Sequence, residues 1–551
     1  MTTDHIADLI LINGHVITMA PDAEPQASTI VVQGGIIRAV GDTGLVSQHR
    51  GPKTRVIDCT GLSVTPGLID AHSHPVLGAE RAIGLDLGGV VTPADLLSRL
   101  RSEADRITAD GGDQWLRAWN LDYAAFDGLT LSAGSIEGAI RGLPALILFF
   151  DGHTALASRR ALFRSGIWGA FNFADNSRVV LDGTGSPTGE LREDGAIDLV
   201  LAHVPALSDT EVQGLARTVL SGMSSVGLTG LCAMDGTVNT LEVIRSIASE
   251  GEGLPLRIVT AFDHHPGDDH ALIAERISTF GAAQGPRWRA GLVKIYADGV
   301  IDTGTGWLYE PDLRGEGTTA MWGDPRSFLQ TMMDYSRGGV HIATHAIGDR
   351  AVGATIDAYL ACGVRSARGA PHRIEHIECL TDTDLLRLAS SQITASVQPS
   401  HLQWRKEDGT DEWASRLGAD RTNRAWRAGD LFAAGVPVAF GSDWPVAQFD
   451  PRVSMAWSQL RRKPGDSDAP VFERGQRCTS LQALHAYTVG AARAQGDRDL
   501  GRIVEGFQAD FTLWAVNPLA VDPDDLISTP IEATIVGGHA TFSTPGSNFS
   551  N

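Results

Sequence analysis

The 551-residue sequence contains no stretch of roughly 18 consecutive apolar residues, which excludes a membrane-spanning helix of ordinary length. It also lacks a run of basic residues. Its 66 Asp and Glu residues outnumber its 45 Lys and Arg residues, and the formal net charge is −21. Nucleic acid binds to basic surfaces, so we expect neither a nucleic-acid partner nor a membrane partner. The acidic balance indicates solubility rather than a particular fold.

Cysteine is scarce as well. The count is odd, the spacing is wide and no CxxC motif occurs, which argues against a disulfide framework and predicts reduced thiols in the cytoplasm. The N-terminal residues have no basic segment before their short apolar run, so we do not expect a signal peptide. The five cysteines are Cys59, Cys232, Cys362, Cys379 and Cys478.

The two ends of the chain alternate between apolar and polar residues in the manner of β-strands. We expect residues 1–61 and 496–551 to form one small composite β-sandwich domain, with a short polar tail at the C-terminus. Two unrelated β-rich tails are the alternative. The domain between them, residues 62–495, alternates short apolar runs with amphipathic segments, a pattern typical of a parallel α/β sheet.

Eight buried strands can be assigned in this middle region, which predicts a (β/α)8 TIM-like barrel. The interval between the first two strands is much longer than the others, so we expect an insertion over about residues 76–210. The predicted strands span 66–72, 227–234, 256–262, 292–298, 341–346, 372–377, 394–399 and 437–443.

Six polar residues lie on five of these strands, at or near the C-terminal ends, where barrel enzymes place their catalytic groups. Alternate residues of a strand face the same way, so the two histidines of DAHSH point together, and paired imidazoles suit a divalent metal. Each residue alone has an ordinary structural explanation, and their coincidence on one barrel face is the signal. The six are His72, His74, Lys294, His345, His376 and Asp443.

The motifs around these residues resemble the amidohydrolase superfamily, in particular the branch that contains N-substituted formamide deformylases and related predicted metal-dependent hydrolases. The resemblance covers nearly the whole chain. The motifs that carry it are PGLIDAHSHP, VKIYADG, HAIGDRAV, RIEHIE and FGSDWPV.

This resemblance implies a metal centre with one or two divalent ions, most simply Zn²⁺, although Mn²⁺, Fe²⁺ or Ni²⁺ would suit the same ligands. Carboxylation by CO2 would turn an awkward buried lysine into an anionic oxygen ligand. An unmodified Lys294 paired with Asp298 or another acid, beside a single metal ion, is the alternative. The implied ligands are His72, His74 and Asp443 for one ion, His345 and His376 for the second, and carboxylated Lys294 as the bridge.

We therefore predict a metal-dependent hydrolase that cleaves a non-peptide C–N bond of the amide or N-formyl type. Hydroxide supplied at the metal would attack the carbonyl carbon, and Asp443 would be the catalytic residue that carries the proton. The alternatives are a cyclic amide, carbamate, ester or lactone as substrate, a non-hydrolytic isomerase or decarboxylase on the same scaffold, and a metal-free binding protein.

The substrate is expected to be a small molecule with an apolar or aryl substituent, because aromatic residues accompany the predicted site. The substrate-binding candidates are His153, Trp119, Trp307 and His401. Ordinary packing is the alternative for each of them. We also expect a homodimer, from the size of the chain and the habit of the family.

Overall fold

The computed structural model describes residues 6–21, 27–111, 114–422 and 424–549. The strands, in chain order, are β1 (Leu9–Ile12), β2 (His15–Val16), β3 (Thr29–Gln33), β4 (Ile36–Gly41), β5 (Arg55–Asp58), β6 (Ser63–Pro66), β7 (Leu68–Ser73), β8 (Leu85–Asp86), β9 (Leu116–Leu121), β10 (Ala145–Phe149), β11 (Thr154–Ala157), β12 (Arg178–Leu181), β13 (Pro187–Arg192), β14 (Leu228–Ala233), β15 (Arg257–His264), β16 (Gln284–Gly285), β17 (Trp288–Tyr296), β18 (His341–Ala346), β19 (Arg373–His376), β20 (Thr394–Val397), β21 (Val438–Phe440), β22 (Phe511–Trp514), β23 (Ile531–Val536) and β24 (His539–Ser543).

The α-helices are α1 (Leu45–His49), α2 (Leu77–Arg81), α3 (Pro93–Ala109), α4 (Ala133–Ile136), α5 (Arg159–Arg164), α6 (Asp194–Leu201), α7 (Asp209–Ser225), α8 (Val238–Ser249), α9 (His270–Ala282), α10 (Pro325–Arg337), α11 (Asp349–Cys362), α12 (Asp382–Ser391), α13 (Glu412–Leu417), α14 (Ala419–Thr422), α15 (Ala428–Ala433), α16 (Pro451–Leu460), α17 (Ser480–His485) and α18 (Ala491–Ala494). Short 3₁₀ helices span Tyr123–Phe126, Pro399–Trp404, Arg474–Gln476 and Leu526–Ser528, and a π-helical turn spans Ala486–Gly490. In the described part of the chain, no helix is both long and apolar enough to cross a bilayer.

Eight parallel strands form the central sheet, in the order β7, β14, β15, β17, β18, β19, β20 and β21, and the two-residue strand β16 pairs antiparallel with β17 at its side. Asp443 N donates to His72 O at 2.7 Å, and Ser442 Oγ donates to Asp70 Oδ2 at 2.6 Å, so the last strand's extension meets the first. The sheet is thus a nearly closed barrel. All eight strands predicted from the sequence have an observed counterpart, which confirms the α/β barrel fold.

The barrel strands are almost fully buried because helices cover the sheet from outside, as the continuous apolar runs indicated. Local signals fix where the covering helices begin. Helix α7 starts with a capping box in which Ser208 and Glu211 each bind the other's backbone N–H. Because such caps fix the residue at which a helix begins, they also fix the length of the loop between that helix and the neighbouring strand.

A six-stranded sheet lies between β7 and β14 in the sequence, in the order β12, β13, β11, β10, β9 and β8. Strand β10 is fully buried, and two apolar clusters pack against the sheet. The turn after β10 carries Phe150 to His153 to the cavity above the metal-ligand candidates. The insertion therefore supplies part of the wall of that cavity.

The remaining strands form two sheets, one in the order β4, β3, β1 and β5 and the other in the order β2, β6, β22, β23 and β24. Strand β6 pairs antiparallel with β22, so residues from both ends of the chain share a sheet. A single apolar cluster includes Leu11 and Ile57 from one end and Phe511 and Ile535 from the other. The sandwich arrangement and the domain boundaries stay predictions.

Candidate metal centre and active site

The six polar residues singled out in the sequence meet at the carboxyl ends of the barrel strands. Their positions follow from the strand assignments, because each lies in a strand or within three residues of its end. Atoms of His72, His376 and Asp443 that could act as ligands all lie within 4.8 Å of one another. His345 adjoins this group, with its ring centre 4.5 Å from that of His376.

Asp443 lies at the centre of the group. Its Oδ1 is 3.3 Å from His72 Nε2 and 3.2 Å from His74 Nε2. Its Oδ2 is 3.7 Å from both His376 Nδ1 and His401 Nε2. Burial raises the pKa of the Asp443 carboxyl, but the histidines around it outweigh burial and hold the pKa well below its usual value.

Three histidines of the group have one ring nitrogen hydrogen-bonded to an oxygen atom, which fixes the orientation of each ring. His72 Nδ1 donates to Glu375 Oε2 at 2.7 Å, His345 Nε2 to Gly299 O at 3.1 Å, and His376 Nδ1 to Gln398 Oε1 at 2.9 Å. His74 Nδ1 lies 3.2 Å from Asp235 Oδ1. The second ring nitrogen is then available as a ligand atom, an arrangement that metal-binding histidines ordinarily adopt. This donor set fits a divalent metal ion.

A buried ion pair between Arg373 and Glu375 contacts the His72 ring. Arg373 and Glu375 are both 0% exposed, and Arg373 donates from Nε to Glu375 Oε1 at 2.5 Å and from Nη2 to Oε2 at 2.9 Å. Burial raises the pKa of Glu375, but Arg373 and His72 outweigh it and lower the pKa far below its usual value. Glu375 is therefore an anion that accepts a hydrogen bond from His72 Nδ1.

Lys294 is 1% exposed, and its Nζ lies 3.3 Å from His72 Nε2. Within the described ranges, no carboxylate oxygen lies within 4.0 Å of Nζ. Asp298, the partner considered from the sequence, instead accepts from the backbone N–H groups of Trp307, Ile347 and Gly348. Burial lowers the pKa of Lys294 below its usual value.

Backbone strain marks the same place. His376, Ile377 and Asp443 have positive φ angles of 73°, 49° and 58°. Non-glycine residues in this conformation cost of order 1–3 kcal/mol each and cluster at functional sites. Two of these residues belong to the clustered site, with His376 Nδ1 3.7 Å from Asp443 Oδ2.

Two cavities adjoin Asp443. The first has a volume of about 850 Å³ including its open mouth, and both Trp119 and His153 line it. The second, of about 510 Å³, is lined by His153 and His401. Three of the four predicted substrate-binding residues therefore face a cavity next to the site.

Trp307 does not line either of these cavities. Its indole is 6% exposed and packs in the main apolar core, with the Arg350 guanidinium 4.9 Å from its ring centre. The sequence placed Trp307 on a loop after a barrel strand, and its side chain packs into the apolar core instead of a cavity. This placement favours a packing role for Trp307.

Several supporting residues were not predicted. His153 Nδ1 lies 2.6 Å from Glu193 Oε2, and Glu193 is 2% exposed with a φ of 64°. Burial lowers the pKa of His153, but Glu193 outweighs it and raises the pKa to about 9. Glu375 lies inside the RIEHIE motif and Gln398 inside SVQPSHL, so an acceptor beside each ligand could have been sought there.

Comparison with known proteins agrees with this geometry. A putative amidohydrolase, YtcJ, of Bacillus subtilis (strain 168) is 26% identical over 540 residues, covering 96% of this chain and 98% of its own. An N-substituted formamide deformylase of Arthrobacter pascens is 24% identical over 561 residues, covering 98% and 99%. An uncharacterized metal-dependent hydrolase from Pyrococcus horikoshii OT3 shares the fold, with a TM-score of 0.71 at 21% identity and coverage of 94% and 99%.

The family model described as "Amidohydrolase family" matches residues 55–542, a span that includes the whole barrel and the six clustered residues. This chain belongs to the amidohydrolase family, and it is an enzyme.

Proposed function

We propose that this enzyme hydrolyses a non-peptide C–N bond of the amide or N-formyl type at a centre with one or two divalent metal ions, most simply Zn²⁺. The observation that carries the proposal is the Asp443 carboxylate, which is within 3.7 Å of four histidine rings at the mouth of the barrel. A relative that covers 98% of this chain is named for deformylation of N-substituted formamides, and a solved neighbour of the same fold contains zinc.

His72, His74 and Asp443 would hold one ion and His345 and His376 the second, with carboxylated Lys294 between the two. The bound metal would lower the pKa of water and supply hydroxide near neutral pH. No carboxylate oxygen of the described residues lies within 4.0 Å of the buried Lys294 Nζ, which supports its carboxylation, because an unpaired buried cation is costly.

Asp443 performs the proton transfer in this proposal. Its low pKa leaves it ionised, so it accepts the proton of the attacking water. It then gives that proton to the nitrogen as the C–N bond breaks, which is needed because an amide anion is a very poor leaving group. His153, held by Glu193, faces the same space from the insertion and is placed to stabilise the developing oxyanion.

Elemental analysis of the purified enzyme, followed by a panel of N-formyl and N-acyl amines in ¹⁸O-labelled water, tests the proposal. We expect one or two transition-metal ions per chain, amine release and label in the product carboxylate. His72→Ala should lose both metal and activity. His372→Ala is the matched control, because His372 is also fully buried in the barrel but accepts a backbone N–H from Ile342 away from the site.

A protein without bound metal, and without activation on adding metal, would overturn the proposed function. Turnover without amine release would instead favour the isomerase or decarboxylase alternative, and hydrolysis confined to esters or lactones would move the bond from C–N to C–O.

A further inference from the structure

The two cavities beside Asp443 meet at the clustered site, because His345, His376 and Asp443 line both of them. The first cavity, of about 850 Å³, includes Trp119 in its wall, and the second, of about 510 Å³, includes Trp404. Each volume lies in the range of small-molecule sites. The candidate metal centre is therefore a junction, and a carbonyl group bound there has two cavities beside it.

A turn of the insertion lies between these cavities. It follows β10, and its residues Phe150, Asp151 and His153 line both the first and the second cavity. The Phe150 ring stacks on Trp404 of the second cavity, with ring centres 3.8 Å apart and ring planes 18° apart. Because the same three side chains belong to both walls, this turn is the partition between the two cavities.

Hydrogen bonds hold the partition in place. Asp151 Oδ2 accepts from the Tyr123 hydroxyl at 2.6 Å, and Asp151 Oδ1 accepts from the His153 backbone N–H at 3.0 Å. His153 Nδ1 lies 2.6 Å from Glu193 Oε2, and the Glu193 backbone N–H donates to His153 O at 2.7 Å. Side chains and backbone of the turn are both fixed, so the two cavities are separate parts of one built site.

Both cavities offer apolar surface to a ligand. Trp119, Leu148 and Phe149 line the first, and Trp413 and Trp426, stacked with ring centres 4.4 Å apart, line the second. A substrate with one carbon substituent on its carbonyl group leaves the apolar wall of one cavity in contact with water. A substrate with two substituents covers both walls, and each additional buried methylene strengthens binding by about fourfold.

We infer that the substrate is an N-acyl amine with a carbon group on each side of the scissile amide, one held in each cavity, rather than an N-formyl amine. This inference rests on the proposed function. An N-formyl amine carries a single hydrogen atom where the acyl group would be, so it fills one cavity only. Hydrolysis breaks the C–N bond and forms a C–O bond to the oxygen of water. One hydrogen of the water goes to the amine and the other to the released acid, which is larger than formic acid.

The first test is equilibrium binding to the metal-loaded enzyme, and it needs no turnover. The probes are two alcohols that cannot be hydrolysed. In 3-phenyl-1-propanol one phenylethyl arm is attached to the carbon that bears the hydroxyl group, and in 1,5-diphenyl-3-pentanol two identical arms are attached to it. We expect calorimetry to show that the two-armed alcohol binds about 10- to 100-fold more tightly, because the second arm buries a second ring.

Matched variants show whether the two arms occupy different cavities. Trp404→Leu in the second cavity and Trp119→Leu in the first should each weaken the two-armed alcohol by about fivefold or more, because each removes part of one apolar wall. At most one of them should weaken the one-armed alcohol. Trp288→Leu is the control, because Trp288 is a half-buried tryptophan at the start of β17, at the opposite end of that strand from the site.

The second test is turnover. N-pentanoyl and N-formyl derivatives of one amine are compared by kcat/KM, each divided by its rate of hydrolysis in hydroxide solution so that intrinsic reactivity is removed. We expect the N-pentanoyl compound to be favoured by at least about tenfold, because its four extra carbons are buried.

The inference fails if the two-armed alcohol binds within about twofold of the one-armed one, which is the statistical gain from a second identical arm. It also fails if only one of the Trp404 and Trp119 variants weakens the two-armed alcohol. Hydrolysis of amides with a preference for N-formyl compounds would contradict this inference and leave the proposed function standing. If the alcohols bind as expected but no amide is hydrolysed, the paired cavities are supported and the proposed function is not.

Discussion

Glu375→Gln removes the negative charge that neutralises Arg373. The same carboxylate accepts a hydrogen bond from His72 Nδ1. Arg373 is fully buried, so the variant leaves a guanidinium without its counter-ion. Breaking a buried pair in this way costs about 3–5 kcal/mol of folding free energy. Loss of the anionic acceptor for His72 Nδ1 should also lower metal affinity by about 10- to 100-fold, or about 1.4–2.7 kcal/mol.

The two effects can be measured separately. Urea unfolding in excess chelator gives the change in the free energy of unfolding without any contribution from bound metal. Competition with a chromophoric chelator for Zn²⁺ gives the metal affinity. The two assays together report on the ion pair and on the His72 contact.

The double variant Arg373→Met with Glu375→Leu is the control. It removes both charges, so part of the stability should return, although the Ala71 carbonyl and the Ser396 hydroxyl lose their Arg373 donor. Metal affinity should stay low, because His72 still lacks its acceptor. A Glu375→Gln enzyme with metal affinity within about twofold of the native value would refute the support role assigned to Glu375.

Three further predictions follow from the site. Asp443→Asn should retain at least one metal ion by elemental analysis yet lose several orders of magnitude in kcat, and near-normal turnover would place the proton carrier elsewhere. Lys294→Met should lower the metal content by about one ion per chain, and native enzyme prepared with ¹³C-bicarbonate should show a lysine carbamate signal by NMR; an unlabelled lysine with full metal content would exclude the bridge. The pKa of His153 is raised to about 9, above its unfolded value of about 6.5, so its stabilising contribution is present below about pH 6.5 and is lost as the pH rises through about 9. Chelator-treated enzyme should therefore lose on the order of 3 kcal/mol over that window, and Glu193→Gln should abolish most of the dependence, whereas an identical pH profile in the variant would show that Glu193 is not its cause.

The barrel and its ligand candidates could be predicted because they follow from local patterns. Continuous apolar runs identify buried parallel strands, and a polar residue at the end of such a run is conspicuous. Lys294 in β17 and His345 in β18 are examples. Once the strands are ordered around a barrel, their carboxyl ends must meet, and no knowledge of the loops is needed.

The supporting residues depend on contacts between distant segments, which one sequence does not reveal. Glu193 reaches His153 because the insertion folds into its own sheet, and nothing local to Glu193 indicates this. Trp404, Trp413 and Trp426 lie between β20 and β21 in a segment of short helices and turns, which has no extended hydrophobic periodicity. Trp307 was predicted to bind substrate because it follows a barrel strand at the catalytic face, but its side chain packs in the apolar core.

The side chains that close the barrel also determine when the site can form. Asp70 and Ser442, which join the first strand to the extension of the last, are 372 positions apart in the chain. During synthesis on a ribosome, His72 and His74 emerge long before Asp443, so the nascent protein carries an incomplete set of the proposed metal ligands for most of its elongation. If the proposed ligands bind the ion, metal capture is a late event that follows near-completion of the barrel, and chains that end before Asp443 should bind the ion more weakly than complete chains.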